Sequence, residues 1–322
     1  MPCGQPSTAD CRQIAGLEQM KTGLLLGGLM DAGALGGLAA AAEAAGFDSL
    51  WVGDHVAFPA PILDPLQVLA CFASHTHRVR LGTCVYLLPL RHPTVVAKMV
   101  SSLDVISGGR VIFGVGVGGE FPGEFQASGV PVNERGARTN EAITVLRHLW
   151  RGSESGHAGR FFRFDPVCLK PPPVQPGGPP IWIGGRSEAA LRRAARYGDG
   201  YVGYLLSPDG FQRRYERIRA LAAEFGREAQ PIVPALMTFA LVDADVARAR
   251  RHAGATLGAM YGRSMESAVE RYCIVGTAAD CRAAVQRFAD AGVEHLVLTP
   301  LTYGDATLEQ IRVLADTLQI RP

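Results

Sequence analysis

Short apolar runs rich in β-formers alternate along this chain with Ala-, Leu- and Arg-rich stretches of helical spacing. Strands are expected near Thr22–Gly27, Ser49–Gly53, Arg80–Leu87, Val111–Val115, Pro180–Ile183, Gly200–Tyr204, Ile232–Val242 and Glu294–Leu298. Helices are expected near Leu35–Ala45, Pro65–Ser74, Thr94–Ile106, Glu134–Trp150, Ser187–Tyr197, Pro208–Phe225, Asp243–Leu257, Ala278–Ala291 and Thr307–Leu318. A strand that feeds a helix and then another strand makes parallel pairs joined by crossovers. Eight such units favour a closed (β/α)8 barrel, the TIM barrel, over an open sheet. The length of 322 residues suits one large barrel carrying an insertion.

The rhythm breaks once, over residues 151–179. This segment holds the aromatic patch Phe161-Phe162-Arg163-Phe164 and the run Pro171-Pro172-Pro173-Val174-Gln175-Pro176. Proline donates no hydrogen bond to a helix or a central strand. The segment therefore reads as an insertion between the fourth helix and the fifth strand, with room for a short hairpin. Long insertions of this kind often act as lids or binding loops. Residues 1–19 read as a polar, flexible extension, and residues 20–322 as a single barrel domain. Met20 directly precedes the first apolar run and is a candidate internal start.

Composition narrows the class. A net charge of +2 is too mild for a nucleic-acid or anionic-membrane partner. Seven cysteines, an odd number without CxxC spacing, argue against a disulfide framework or a zinc site and for a reducing cytoplasm. The N-terminus lacks a basic segment followed by an apolar run, so no signal peptide is expected. The apolar stretch Leu29–Gly46 carries Asp31 and Glu43 and is too short and polar to span a bilayer.

In a (β/α)8 barrel the chemistry sits on loops that follow the strand C-termini. Asp54-His55 leaves the second strand, and His is the side chain whose proton is exchanged nearest neutrality. A loop histidine capped by its neighbour is the structural alternative. The run Gly114-Val115-Gly116-Val117-Gly118-Gly119-Glu120 leaves the fourth strand. Its glycines permit close approach of a planar ligand. Phe121-Pro122-Gly123 follows and starts no helix at once, so a dinucleotide fingerprint is weak. Gly184-Gly185-Arg186-Ser187 joins the fifth strand to a helix, a ready seat for a phosphate as well as a plain Ser cap. Cys84, at the end of the third strand, reads alone as a small core residue. His75-Thr76-His77 looks like a metal-binding pair, but it falls at the bottom of the barrel and makes a metal hydrolase a poor third reading.

Taken together, these stretches resemble the luciferase-like monooxygenase superfamily. The likeness rests on Trp51-Val52-Gly53-Asp54-His55, on Leu81-Gly82-Thr83 with Pro89-Leu90-Arg91-His92-Pro93, and on Gly114–Gly118. It continues through Glu124-Phe125, Gly129-Val130-Pro131, Glu134-Arg135-Gly136-Ala137-Arg138 and Pro180–Ser187. Asp199-Gly200, Val275-Gly276-Thr277 and Asp290–His295 extend it over roughly residues 20–320.

The resemblance implies a barrel that binds FMN or the deazaflavin coenzyme F420, and the Asp54-His55 pair looks most like the F420-dependent oxidoreductase branch. By the same resemblance His55 moves a proton near the hydride-transfer carbon, and Glu120 is the acid. An extra Gly119 before Glu120 departs from the family pattern. Cys84–Val85 would be a cis peptide beside the ring. Asp54, Gly116, Gly118 and Tyr204 would lie along the cofactor, and Gly184, Gly185, Arg186 and Ser187 would hold its phosphate. No lysines suited to a phosphosugar substrate are found. Phe58, Tyr86, Leu87, Phe121, Phe125 and Tyr204 suggest a largely apolar pocket for a small organic substrate. A homodimer and a separate reductase are among the implied partners. The rival readings are a two-component monooxygenase using reduced FMN and O2, and a non-catalytic flavin-binding protein.

Overall fold

A computed structural model describes residues 20–26, 32–59 and 61–321. The expected extension, residues 1–19, lies outside the described residues. The first half of the chain runs β1 (Lys21–Leu25), α1 (Leu35–Ala44), β2 (Ser49–Val52), α2 (Pro65–His75), β3 (Arg80–Thr83), β4 (Tyr86–Leu87), α3 (Pro93–Ser107), β5 (Val111–Gly116), α4 (Pro122–Ala127) and α5 (Arg135–Leu149). The second half runs β6 (Ser155–Ala158), β7 (Arg163–Val167), β8 (Ile181–Gly184), α6 (Glu188–Tyr197), β9 (Gly200–Tyr204), α7 (Pro208–Glu224), β10 (Val233–Val242), α8 (Val246–Tyr261), α9 (Glu266–Tyr272), β11 (Ile274–Gly276), α10 (Ala278–Asp290), β12 (His295–Pro300) and α11 (Asp305–Leu318).

Eight of these strands close into a parallel TIM barrel. The ring runs β1, β2, β3, β5, β8, β9, β10 and β12, and β12 pairs back onto β1 through Lys21 and His295. Both faces of such strands are covered, so their sequences are continuously apolar. Every residue of β5, Val-Ile-Phe-Gly-Val-Gly, is buried. Local chemistry sets several helix ends. Asp64 caps α2 by accepting from the Leu66 N–H, and Pro65 takes the first position, where no N–H is needed. Gly108, at φ 67°, ends α3 in the left-handed conformation that costs glycine least. The insertion carries an antiparallel hairpin of β6 and β7.

Three differences from the sequence pattern matter. The apolar run Arg80–Leu87 is not one strand: β3 stops at Thr83, the Cys84–Val85 peptide is cis, and β4 then pairs with β5. Pro122 does open a helix, α4, directly after Phe121. The short pair α9 and β11 stands between α8 and α10, where no separate element was expected.

The barrel interior is filled by rings. Trp51 on β2 and Trp182 on β8 lie 5.1 Å apart, and the His295 ring meets both edge-on. Each indole faces a glycine in register on the next strand, Gly82 for Trp51 and Gly200 for Trp182. A Cβ at either glycine would run into the indole. Ser49 Oγ joins this cluster, accepting from Trp51 Nε1 and sharing a hydrogen bond with His295 Nε2.

Burial pushes the His295 imidazole down from 6.5 to about 4. In that window the unfolded chain binds a proton that the folded chain does not, so stability falls as pH drops through it. The expected loss is roughly 2–4 kcal/mol. Urea unfolding at a series of pH values should show this slope in the wild type. A His295→Gln variant with the same slope would remove His295 as its source.

Candidate active site

A cavity of about 680 Å3 opens at the C-terminal ends of the barrel strands. Its walls come from the segments that follow β2, β3, β5, β8, β9, β10 and β12. It collects most of the expected site residues: Asp54, His55, Cys84, Val85, Gly116, Gly118, Glu120, Gly184, Gly185, Arg186, Ser187 and Tyr204 all line it.

His55 is the best-placed acid–base group. Its Nδ1 meets the Glu124 carboxylate at 3.0 Å, and Glu124 is 1% exposed. The same carboxylate accepts from the Val56 N–H at 2.6 Å and the Ala57 N–H at 3.0 Å. Burying a carboxylate is costly unless it is bonded in this way. Glu124 reaches the loop because α4 starts at Pro122, and α4 is anchored by Phe125, which is fully buried with Leu87 and Leu90. The His55 ring stacks on Phe58 at 4.2 Å and meets the Phe121 edge at 5.4 Å. Its Nε2 has no hydrogen-bond partner among the described residues. A histidine with one nitrogen fixed by a carboxylate presents the other to the cavity in a defined tautomer.

The carboxylate that touches His55 is thus Glu124, four residues beyond the expected Glu120. Glu120 stands exposed at the cavity rim without a hydrogen bond or ion pair among the described residues. Asp54 lines the same cavity beside His55. Both its oxygens are taken, by the two terminal nitrogens of Arg91 at 2.6 and 2.8 Å and by the Leu87 N–H at 2.8 Å. Asp54 therefore ties the β2 loop to β4, a geometry suited to positioning His55 rather than to holding a ligand.

Val85 forms part of the cavity floor. A Cβ on Gly184 would lie 2.6 Å from the Val85 side chain, and one on Gly116 would overlap it. These glycines make room for Val85 as well as for anything above it. Burial pushes the neighbouring Cys84 thiol up to about 12, so it stays protonated and unreactive. Gly185, at φ 130°, turns the chain from β8 toward α6, and Ser187 Oγ caps that helix by accepting from the Ala190 N–H. Arg186 lies 5.7 Å above the Tyr204 ring, and the Tyr204 hydroxyl pairs with that of Tyr261.

The expected apolar pocket is assembled differently in part. Phe58, Leu87 and Tyr204 line the cavity, whereas Tyr86 and Phe125 are buried behind it. Leu25, Met237, Phe239, Met260 and Leu301 supply apolar wall that no local motif marked. Tyr261, at the end of α8, carried no local signal either. Glu124 did carry one, as an acidic residue in the first turn of a helix opened by proline. His75, from the pair at the barrel bottom, packs against Gly36, and among the described residues no three His, Cys, Asp or Glu gather as a metal site.

Comparison with known proteins agrees with this architecture. A family model described as luciferase-like monooxygenase matches residues 15–295. An uncharacterised protein of Mycobacterium tuberculosis is 34% identical over 210 residues, 59% of this chain and 72% of its own length. A 5,10-methylenetetrahydromethanopterin reductase of Methanolobus tindarius is 26% identical over 291 residues, 80% of this chain and 86% of its own. An F420-dependent secondary alcohol dehydrogenase, solved with an F420–acetone adduct, superposes with a TM-score of 0.84 at 22% identity, over 94% of this chain and all of that one. A type II Baeyer–Villiger monooxygenase of Pseudomonas putida, solved with FMN, gives 0.72 at 18% identity over 94% and 96%. These two structures share the fold.

Proposed function

Because the chain belongs to the luciferase-like monooxygenase family, we propose that it moves a hydride between the deazaflavin coenzyme F420 and a mostly apolar organic substrate. The observation that carries this reading is the His55–Glu124 pair in the wall of an apolar cavity. The residues present fit a planar ring with an anionic tail. Val85 offers the ring a support, and Gly184–Ser187 leads into the N-terminus of α6, where the helix dipole favours an anion.

When bound, the deazaflavin supplies the carbon that gives or takes the hydride. His55 moves the accompanying proton at Nε2, since Nδ1 is committed to Glu124. Glu124 steadies the imidazolium that this transfer creates. Phe58 covers one face of the ring and keeps water from it. The aliphatic wall of Leu25, Met237 and Leu301 receives the organic body of the substrate.

The test is a titration of the purified protein with F420 and, separately, with FMN, followed by fluorescence. F420 is expected to bind, and Ser187→Asp is expected to weaken it by at least about tenfold, or about 1.4 kcal/mol, through repulsion at the anion seat. Binding of FMN alone would move the reading to the reduced-FMN and O2 monooxygenase. Binding of neither would remove both.

A further inference from the structure

The proton count of one hydroxyl pair points to a substrate contact. Tyr204 and Tyr261 share a hydrogen bond through their hydroxyls, and both line the cavity. Each phenol carries one O–H. In a bonded pair one proton is placed between the oxygens and the other needs an acceptor elsewhere. Neither hydroxyl has another hydrogen-bond partner among the described residues. The pair therefore holds one O–H free to donate. Burial, with Glu120 and Cys273 adding to it, pushes the Tyr261 phenol up, so it keeps its proton across ordinary pH.

The position of the pair adds to this. Tyr204 ends β9, and His55 follows β2. In the closed ring those strands stand four places apart in either direction, so the two groups face each other across the mouth. The arc through β3, β5 and β8 is the Val85 and glycine floor. The arc through β10, β12 and β1 is apolar, with Met237, Phe239, Leu301 and Leu25.

We propose that Tyr204 and Tyr261 form a hydrogen-bond-donating subsite opposite His55 that takes an uncharged oxygen acceptor, such as a carbonyl oxygen remote from the carbon that exchanges hydride, on an otherwise apolar substrate. This rests on the cavity being the substrate site of the function proposed above, but not on which cofactor binds. The anion Glu120 and the cations Arg186 and Arg263 all act on Tyr261, so charge alone does not choose the ligand there, and an anionic probe tests the uncharged reading.

The probes are acetophenone and α-methylstyrene, which differ only in C=O against C=CH2, with benzoate as the anionic control. Binding is measured by saturation-transfer NMR on the full chain, with and without saturating cofactor. A failed F420 titration thus leaves this measurement standing. The wild type should prefer acetophenone by about tenfold, the scale of one neutral hydrogen bond. Tyr204→Phe and Tyr261→Phe each keep one O–H and should keep most of that preference. The double variant should bind both neutral probes alike. In the wild type the carbonyl 13C resonance of bound acetophenone should move downfield, a readout that needs no variant to fold. Equal affinity for the two neutral probes, a preference that survives in a folded double variant, an unmoved carbonyl resonance, or tighter binding of benzoate would each overturn the proposal.

Discussion

His55→Ala is expected to lower turnover by about 10²- to 10⁴-fold, the range that a positioned proton-transfer group contributes. Cofactor affinity should change far less, because the proposed anion seat, Gly184–Ser187, is on another strand end. On the proposed function, the measurement is kcat with an accepted organic substrate, read from deazaflavin absorbance, beside a cofactor titration. Glu124→Gln should fall between the two. It keeps the ring in the cavity but removes the carboxylate that fixes its tautomer. A His55→Ala enzyme with wild-type turnover would mean that proton transfer is handled elsewhere, and Glu120 would be the next carboxylate to replace.

The second large effect concerns stability. Gly114→Ala should cost about 3 kcal/mol or more, or prevent folding. A Cβ there would run into the carbonyl oxygen of Thr83, which is backbone and has no rotamer to change. Thr83 is also held against Gly114, its Oγ1 donating to the Gly114 carbonyl at 2.7 Å. Relief would require β3 and β5 to part, and their ladder closes the barrel. Gly37→Ala, at an exposed position of α1, is the matched control. Nothing lies within 4 Å of its Cβ, and it should gain roughly 0.5–1 kcal/mol from helix propensity. Urea unfolding of the two variants gives both numbers. A Gly114→Ala protein within about 1 kcal/mol of wild type would show that β3 and β5 have slack at this point.

The barrel was legible because its signal is periodic: β5 and β8 are apolar throughout, and Ser187 caps the helix that follows β8. His55 was legible because a strand end places its loop at the mouth. Its partner was not, since the His55–Glu124 contact spans 69 residues and depends on where α4 points. Glycines around Pro122 masked a helix start that proline at the first position signals. The split of Arg80–Leu87 was invisible to hydropathy, because the residues either side of the cis Cys84–Val85 bond are equally apolar. Tyr261 reaches the cavity from the far end of α8, and nothing in its neighbours in sequence marks that destination.

The pair of indoles at the centre of the barrel also governs traffic. Trp51 and Trp182, with His295 beneath, stopper the tube below Cys84 and Val85. Among the described residues, the cavity then opens on the side of the strand C-termini, and a ligand that enters there cannot pass through to the other end of the barrel.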